Sequence, residues 1–448
     1  MVSLRVRRRR KQVATGALVV IVVCVLAVVV PSGPANPPAS TVGHQSTTTA
    51  APGGRPSTGS SAAQAAARRN ARALRAATSS PLSPTWTGDG QPVTLAFGGD
   101  VHFEGVLGTR LADDPATALD GNVASLLSGS DLSMVNFESA LTDGTCPDPQ
   151  PKQYVFYAAP SAITAFQAAK ITLVTEANNH GEDCGPAGLQ ESLSIAKQAG
   201  YPIIGIGADA AAAFAPYRAT INGQRIAIIA ATEVIDSDLQ TAWTATASQP
   251  GLASAYSIDT LVDAVEAARR TSDTVVVYLH WGTETQTCPN ALQEPLANAL
   301  VRAGADIVVG THAHVQLGAG YLGTAFVDYG LGNLAFYDTT PPETYSGSLL
   351  VTVTGRHIDG AQWRPALIES GIPIPLSGDE ATAADTRWVG LRGCTDLSAG
   401  PSPSLATPAT EAALPAASVV ATLSNQLPDA KSGSPGTTRR AARVTKDS

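Results

Sequence analysis

The chain has 448 residues, 44% of them hydrophobic and 15% charged, and a formal net charge of −8. The charge is unevenly spread: residues 1–91 carry eleven Lys/Arg against one acid, residues 398–448 carry five against three, and the 306 residues between them carry thirteen against thirty-three. A middle region near −20 repels polyanions and argues against nucleic acid as a partner, although a bound divalent ion would reverse the sign locally.

Taken in chain order, residues 1–11 form a basic cluster of five arginines and Lys11, and residues 12–30 hold no charge at all. The eighteen residues from Val13 to Val30 would reach roughly 27 Å as a helix, close to the hydrocarbon thickness of a bilayer. They predict a single-pass membrane anchor, with 1–11 cytoplasmic by the positive-inside rule and everything after residue 30 outside the cell membrane. A cleaved signal peptide shares the charged start and apolar core, and would leave the body secreted instead. Residues 31–91, rich in Pro, Ser, Thr, Gly and Ala, read as a disordered linker, with 62–77 (AAQAAARRNARALRAA) as a transient helix or a solvated segment. The same low-complexity character returns over 398–448, a disordered tail, leaving 92–397 as one folded domain.

Within that domain, apolar runs at 93–99, 132–138, 171–178, 201–207, 225–232, 274–281 and 306–312 read as strands, most of them buried on both faces because they hardly alternate. Helices are predicted at 186–199 after Pro186, at 257–271 from Ser257 and at 291–303 before Gly304. Asn222-Gly223 marks a hairpin, so the α/β fold has mixed sheets, with late strands in LGTAFVDYG, SGSLLVTVTG and AQWRPALIE. Cys146, Cys184, Cys288 and Cys394 are an even set in an exported body and predict disulfides that staple loops. All three pairings stay open. No C-x-x-C pair is present, and GGDVHFEG has neither the G-x-G-x-x-G spacing nor a P-loop lysine.

Five of the seven histidines lie in polar strings that end strands, the carboxyl-end position where open α/β sheets place ligand sites. These strings are GGDVHFEG with Asp100 and His102, VNFE with Glu138, ANNHGED with Asn179, His180 and Asp183, VVVYLHWGTE with His280, and VVGTHAHVQ with His312 and His314. A lone core histidine or a capping carboxylate would be ordinary at any one of them. Five together predict a metal site of imidazole and carboxylate ligands. His44 and His357 lie outside any such string.

The order Asp-x-His, carboxylate, Asn-His, His, Gly-x-His-x-His resembles that of the calcineurin-like metallophosphoesterases. More closely, GGDVHFEG, VNFESALT, KQYVFYAAP, ANNHGEDCG, LHWGTE, GTHAHVQ and DYGLGNLAFYD, spread over 93–338, are similar to the motifs of the CapA family, associated with poly-γ-glutamate capsule synthesis. The resemblance implies a metallo-dependent phosphatase-like fold, a four-layer α-β-β-α sandwich. It implies that Asp100, His102 and His314 hold one divalent ion, that Asn179, His280 and His312 hold another, and that Glu138 stands where those enzymes have a bridging aspartate. His180 would donate a proton to a leaving group, oriented by Asp183, while Glu284 and Asn333 shape the pocket. Glu138 is one methylene longer than that aspartate and follows Asn-Phe rather than Gly, so one or two ions of Mn, Fe or Zn are both open. The implied role is the synthesis, export or attachment of an anionic cell-surface polymer, beside membrane synthase components, by a metal-dependent hydrolase or transferase. A non-catalytic polymer-binding assembly factor and an exported phosphodiesterase or nucleotidase are the alternatives.

Overall fold

The computed structural model describes residues 65, 68–74, 84–337 and 340–402. The expected anchor at 12–30 and nearly all of the expected tail lie outside the described residues. Among those described, no helix is long and apolar enough to cross a membrane.

Two sheets make the framework. The first has eight strands: in order Ile372–Pro375, His357–Glu369, Tyr345–Thr354, Val93–Val101, Leu132–Phe137, Leu173–Thr175 and Ile203–Ile204, with Asn333–Ala335 alongside the end of Val93–Val101. The second runs Ala319–Leu322, Ala325–Asp328, Ile307–His312, Thr274–Trp281, Gln224–Thr232 and Tyr217–Ile221. Its four inner strands are parallel and its two edge strands antiparallel. The hairpin at the Tyr217–Ile221 edge turns on Asn222 and Gly223, both at positive φ (50° and 70°), as an Asn-Gly turn requires.

The near-continuous apolar runs are explained by their two covered faces. Along Thr274–Trp281, Val276 and Tyr278 point between the sheets, where they meet Phe97 and Met134 of the first sheet. Val275, Val277 and Leu279 point the other way, onto Leu261, Val265, Leu296 and Leu300 of helices Ile258–Arg269 and Gln293–Ala303. On the first sheet, Val135 and Phe137 pack outward against Leu107, Val123 and Phe166, from helices Gly105–Asp113, Asp120–Leu126 and Ser161–Ala168. The layers are therefore helix, sheet, sheet, helix, with mixed sheets.

Several elements differ from the reading of the sequence. The run at 171–178 forms a strand only over Leu173–Thr175, because the Thr175 hydroxyl accepts the Ala177 N–H (2.9 Å) and turns the chain. The run at 201–207 breaks at Gly205 (φ +85°) into Ile203–Ile204 and Ile206–Gly207, the second piece pairing with Gly251–Leu252 instead. The three helices at 105–126 and 161–168 and the helix Gly378–Leu391 were not anticipated. The linker expectation for 31–91 needs correction over its described part. Residues 68–74 are helical; Asn70 Nδ2 donates to the Tyr256 carbonyl (2.6 Å), Arg302 Nη2 donates to the Leu74 carbonyl (2.8 Å), and Leu74 packs on the outer core. At the other end, order continues past 397: the Ser402 N–H reaches the Gly323 carbonyl at 2.8 Å.

Candidate metal centre

Parallel strands bring their carboxyl ends to one place. Asp100, near the end of Val93–Val101, stands opposite Asn136 on one neighbour and Asn333 on the other. It reaches that position because Gly99 has no side chain: a Cβ there would lie 1.7 Å from the Gly332 carbonyl oxygen. Asp100 is fully buried, accepts Asn136 Nδ2 (2.8 Å) and the His312 N–H (3.1 Å), and lies 3.5 Å from His314 Nδ1. His280 and His312 come from adjacent strands of the other sheet, with His280 Nε2 2.8 Å from Asn179 Oδ1 and 3.1 Å from His312 Nδ1. The Asn333 side-chain oxygen fixes His314 Nδ1 at 2.9 Å.

Glu138 is the centre of this arrangement. It is fully buried, and neither carboxylate oxygen has a hydrogen-bond partner. Its Oε1 lies 3.7 Å from His314 Nε2, 4.0 Å from His280 Nε2 and 4.0 Å from His180 Nε2. An unpaired buried carboxylate is costly, and here burial, with Asp100 and Glu284 nearby, pushes its proton affinity well above the usual carboxylate range. Burial moves His280 and His312 the other way, well below the ordinary imidazole value, so both rings are neutral and carry a lone pair. Neutral imidazoles around a carboxylate without a partner are the donor set a divalent cation satisfies. Three groups of side chains have ligand atoms close enough to share an ion: Asp100, Glu138 and His314; Glu138, His280 and His312; and Glu284, His312 and His314.

His102 stands apart from these groups. Its Nε2 accepts the Tyr337 N–H (3.3 Å), its Nδ1 has no partner, and its ring stacks on Phe336 (4.0 Å) and Tyr337 (4.4 Å). His180 faces the centre through Nε2, while its Nδ1 is 2.5 Å from Asp183 Oδ2. Burial, only partly opposed by that bond, pushes His180 down to about 4.

Several participants were missed in the sequence. Asn136 and Asn178 form a chain, Asn178 Nδ2 donating to Asn136 Oδ1 (2.9 Å) and Asn178 Oδ1 accepting the His180 N–H (2.8 Å). Each lies two residues before a singled-out residue, Glu138 and His180. Lys152 Nζ pairs with Asp183 Oδ1 (2.7 Å) and donates to the Asn179 carbonyl. Its only signal was its place in KQYVFYAAP. The Cys146–Cys184 disulfide fastens that loop beside Asp183, and Cys288–Cys394 fastens the loop after His280.

The family model described as bacterial capsule synthesis protein PGA_cap matches residues 94–338, more than half the chain and every residue of this centre. The chain belongs to that family. Among PGA_cap relatives, it is 31% identical over 221 residues to the capsule biosynthesis protein CapA of Bacillus anthracis, covering 48% of this chain and 53% of that one. It is 26% identical over 260 residues to the PGA biosynthesis protein CapA of Bacillus subtilis, covering 57% and 66%. The match thus spans between half and two thirds of these relatives' length. Among solved structures, a phosphatase of Mycoplasma pneumoniae aligns with TM-score 0.39 and 14% identity, covering 65% of this chain and 97% of that one. A 5'-nucleotidase of Candida albicans aligns with TM-score 0.36 and 10% identity, covering 70% and 59%.

Proposed function

We propose that this PGA_cap protein is an extracytoplasmic, metal-dependent hydrolase or transferase acting on an anionic cell-surface polymer such as poly-γ-glutamate, during its synthesis, export or attachment. The observation that carries the reading is the buried, unpaired Glu138 carboxylate facing His280, His314 and His180. Asp100, Glu138, Asn179, His280, His312 and His314 would hold one or two ions of the Mn, Fe or Zn kind, and His102 would join only by giving up the Tyr337 N–H. Such ions, when bound, supply an activated water and stabilise negative charge on a substrate oxygen.

The chain's own groups divide the remaining work. Asp183 receives the Nδ1 side of His180 and so turns Nε2 toward Glu138. With a proton affinity near 4, His180 rests neutral, so Nε2 is free to take the proton that the attacking water gives up and pass it to the leaving group. The two disulfides support an oxidising compartment outside the cytoplasm, in keeping with an anchor at 12–30 and with membrane-embedded synthase partners.

One observation favours a second reading, an exported phosphoesterase or nucleotidase. Although only 5% of the chain is aromatic, Phe156 stacks on His180 at 4.1 Å, with Tyr154 and Tyr337 nearby, giving ring faces on which a base could stack. The test is a hydrolysis screen over poly-γ-glutamate, nucleotides and bis-p-nitrophenyl phosphate. His180→Ala should keep its metal and lose about 10²–10⁴-fold in rate. Undiminished turnover in that variant removes the assigned role, and full support of surface polymer by it in cells favours a non-catalytic binding factor.

A further inference from the structure

Glu284 does more than shape the pocket. Its carboxylate forms one group with the His312 and His314 imidazoles, each offering an atom within 4.8 Å of the others. Unlike every other acid of the centre, it is exposed, three residues beyond strand Thr274–Trp281.

An exposed carboxylate beside two histidines can be accidental, but the loop that carries this one is held in place. Before it, the Gly282 N–H donates to Glu233 Oε2 (3.3 Å). After it, the Thr285 N–H donates to the carbonyl of Ala313 (2.8 Å), the residue between His312 and His314. Thr285, His312 and His314 all have left-handed backbones, with φ of 62°, 89° and 56°. Non-glycine residues in that region are uncommon, and a cluster of them marks a locally over-determined site. Four residues on, the Cys288–Cys394 disulfide ties the loop down again. The same centre holds the two carboxylate oxygens of the buried Glu138, neither of which has a hydrogen-bond partner.

Resting on the metal-centre reading above, we propose that Glu284 is itself a metal ligand, filling the solvent-facing position of the ion held by His312 and His314. A carboxylate adds charge to a pair of imidazole ligands and suits Mn²⁺ or Zn²⁺. On the exposed side of the centre, Glu284 would be the ligand nearest an arriving anionic substrate group.

The experiment titrates Mn²⁺ and Zn²⁺ into the chelator-stripped full chain, against a competing chelator, for the wild type, Glu284→Gln and Glu284→Asp. Melting temperatures are recorded with and without metal. Glu284→Gln should bind at one site about tenfold more weakly or worse, and Glu284→Asp should recover part of the loss. Metal-free melting should be unchanged, because the side chain is exposed. Affinity of Glu284→Gln within twofold of the wild type overturns the inference while leaving the metal centre intact. A wild type that binds neither ion overturns the metal centre itself, and this inference with it.

Discussion

Lys152 sits 2.7 Å from Asp183 and, in a separate contact, 5.0 Å above the Trp243 ring, with only 7% of its side chain exposed. Its charge works on His180 through Asp183: the lysine drains charge from the carboxylate that would otherwise favour imidazolium, and it repels that imidazolium directly. Lys152→Met should therefore raise the His180 titration midpoint, as followed by imidazole proton resonances in metal-free protein. It should also lower stability by about 3 kcal/mol, since it leaves a buried carboxylate with less compensation. An unmoved midpoint would mean that Asp183, not Lys152, sets the state of His180 alone. At this scale the sequence offered the candidate ligands but not their supports. Asp100, Glu138, His280, His312 and His314 end apolar runs and could be seen, whereas Lys152 lies in an aperiodic loop carried in by a disulfide. The spacing that singled out His102 is silent on ring orientation, which the Tyr337 N–H decides.

At the scale of the elements, the approach of strand Val93–Val101 to Gly332 positions Asp100. Gly99→Ala would drive a methyl group into a backbone carbonyl that cannot yield. We expect a cost of about 3 kcal/mol, together with loss of bound metal, both measurable by denaturant titration and elemental analysis; unaltered stability would contradict the close approach. The broken strand at 171–178 carries a second test. Burial pushes Glu176 up to about 8, whereas an unfolded glutamate titrates near 4.3. Between those values the native state keeps its proton and the unfolded state does not, so this group's contribution to stability falls as pH rises and levels off above about 8. The slope is about 1.4 kcal/mol per pH unit. Glu176→Gln should therefore gain on the wild type between pH 5 and pH 8 in urea unfolding, and an advantage independent of pH would refute the raised affinity. Long buried strands such as Thr274–Trp281 were legible because two covered faces demand continuous apolar sequence. The short helix Asp120–Leu126, seven residues with two buried positions, offers too few turns for a period to register.

At the scale of the whole molecule, two sheets face each other across one core, and the parallel strands of both direct their carboxyl ends to the same edge. The first sheet supplies Asp100 and Glu138, and the second supplies His280 and His312, so neither sheet holds the centre alone. The four-layer order follows from helices on both outer faces; it could be expected from the sequence only through resemblance, since periodicity identifies strands but not which sheet each joins. The central claim is that this convergence exists to hold metal. Elemental analysis of the full chain, purified without chelator and then reconstituted with Mn, Fe and Zn in turn, tests it most directly. The wild type should carry one to two equivalents of a divalent transition metal, falling sharply in His312→Ala, whereas a wild type that retains none of the three under any of these conditions would mean that the convergent side chains do not hold metal.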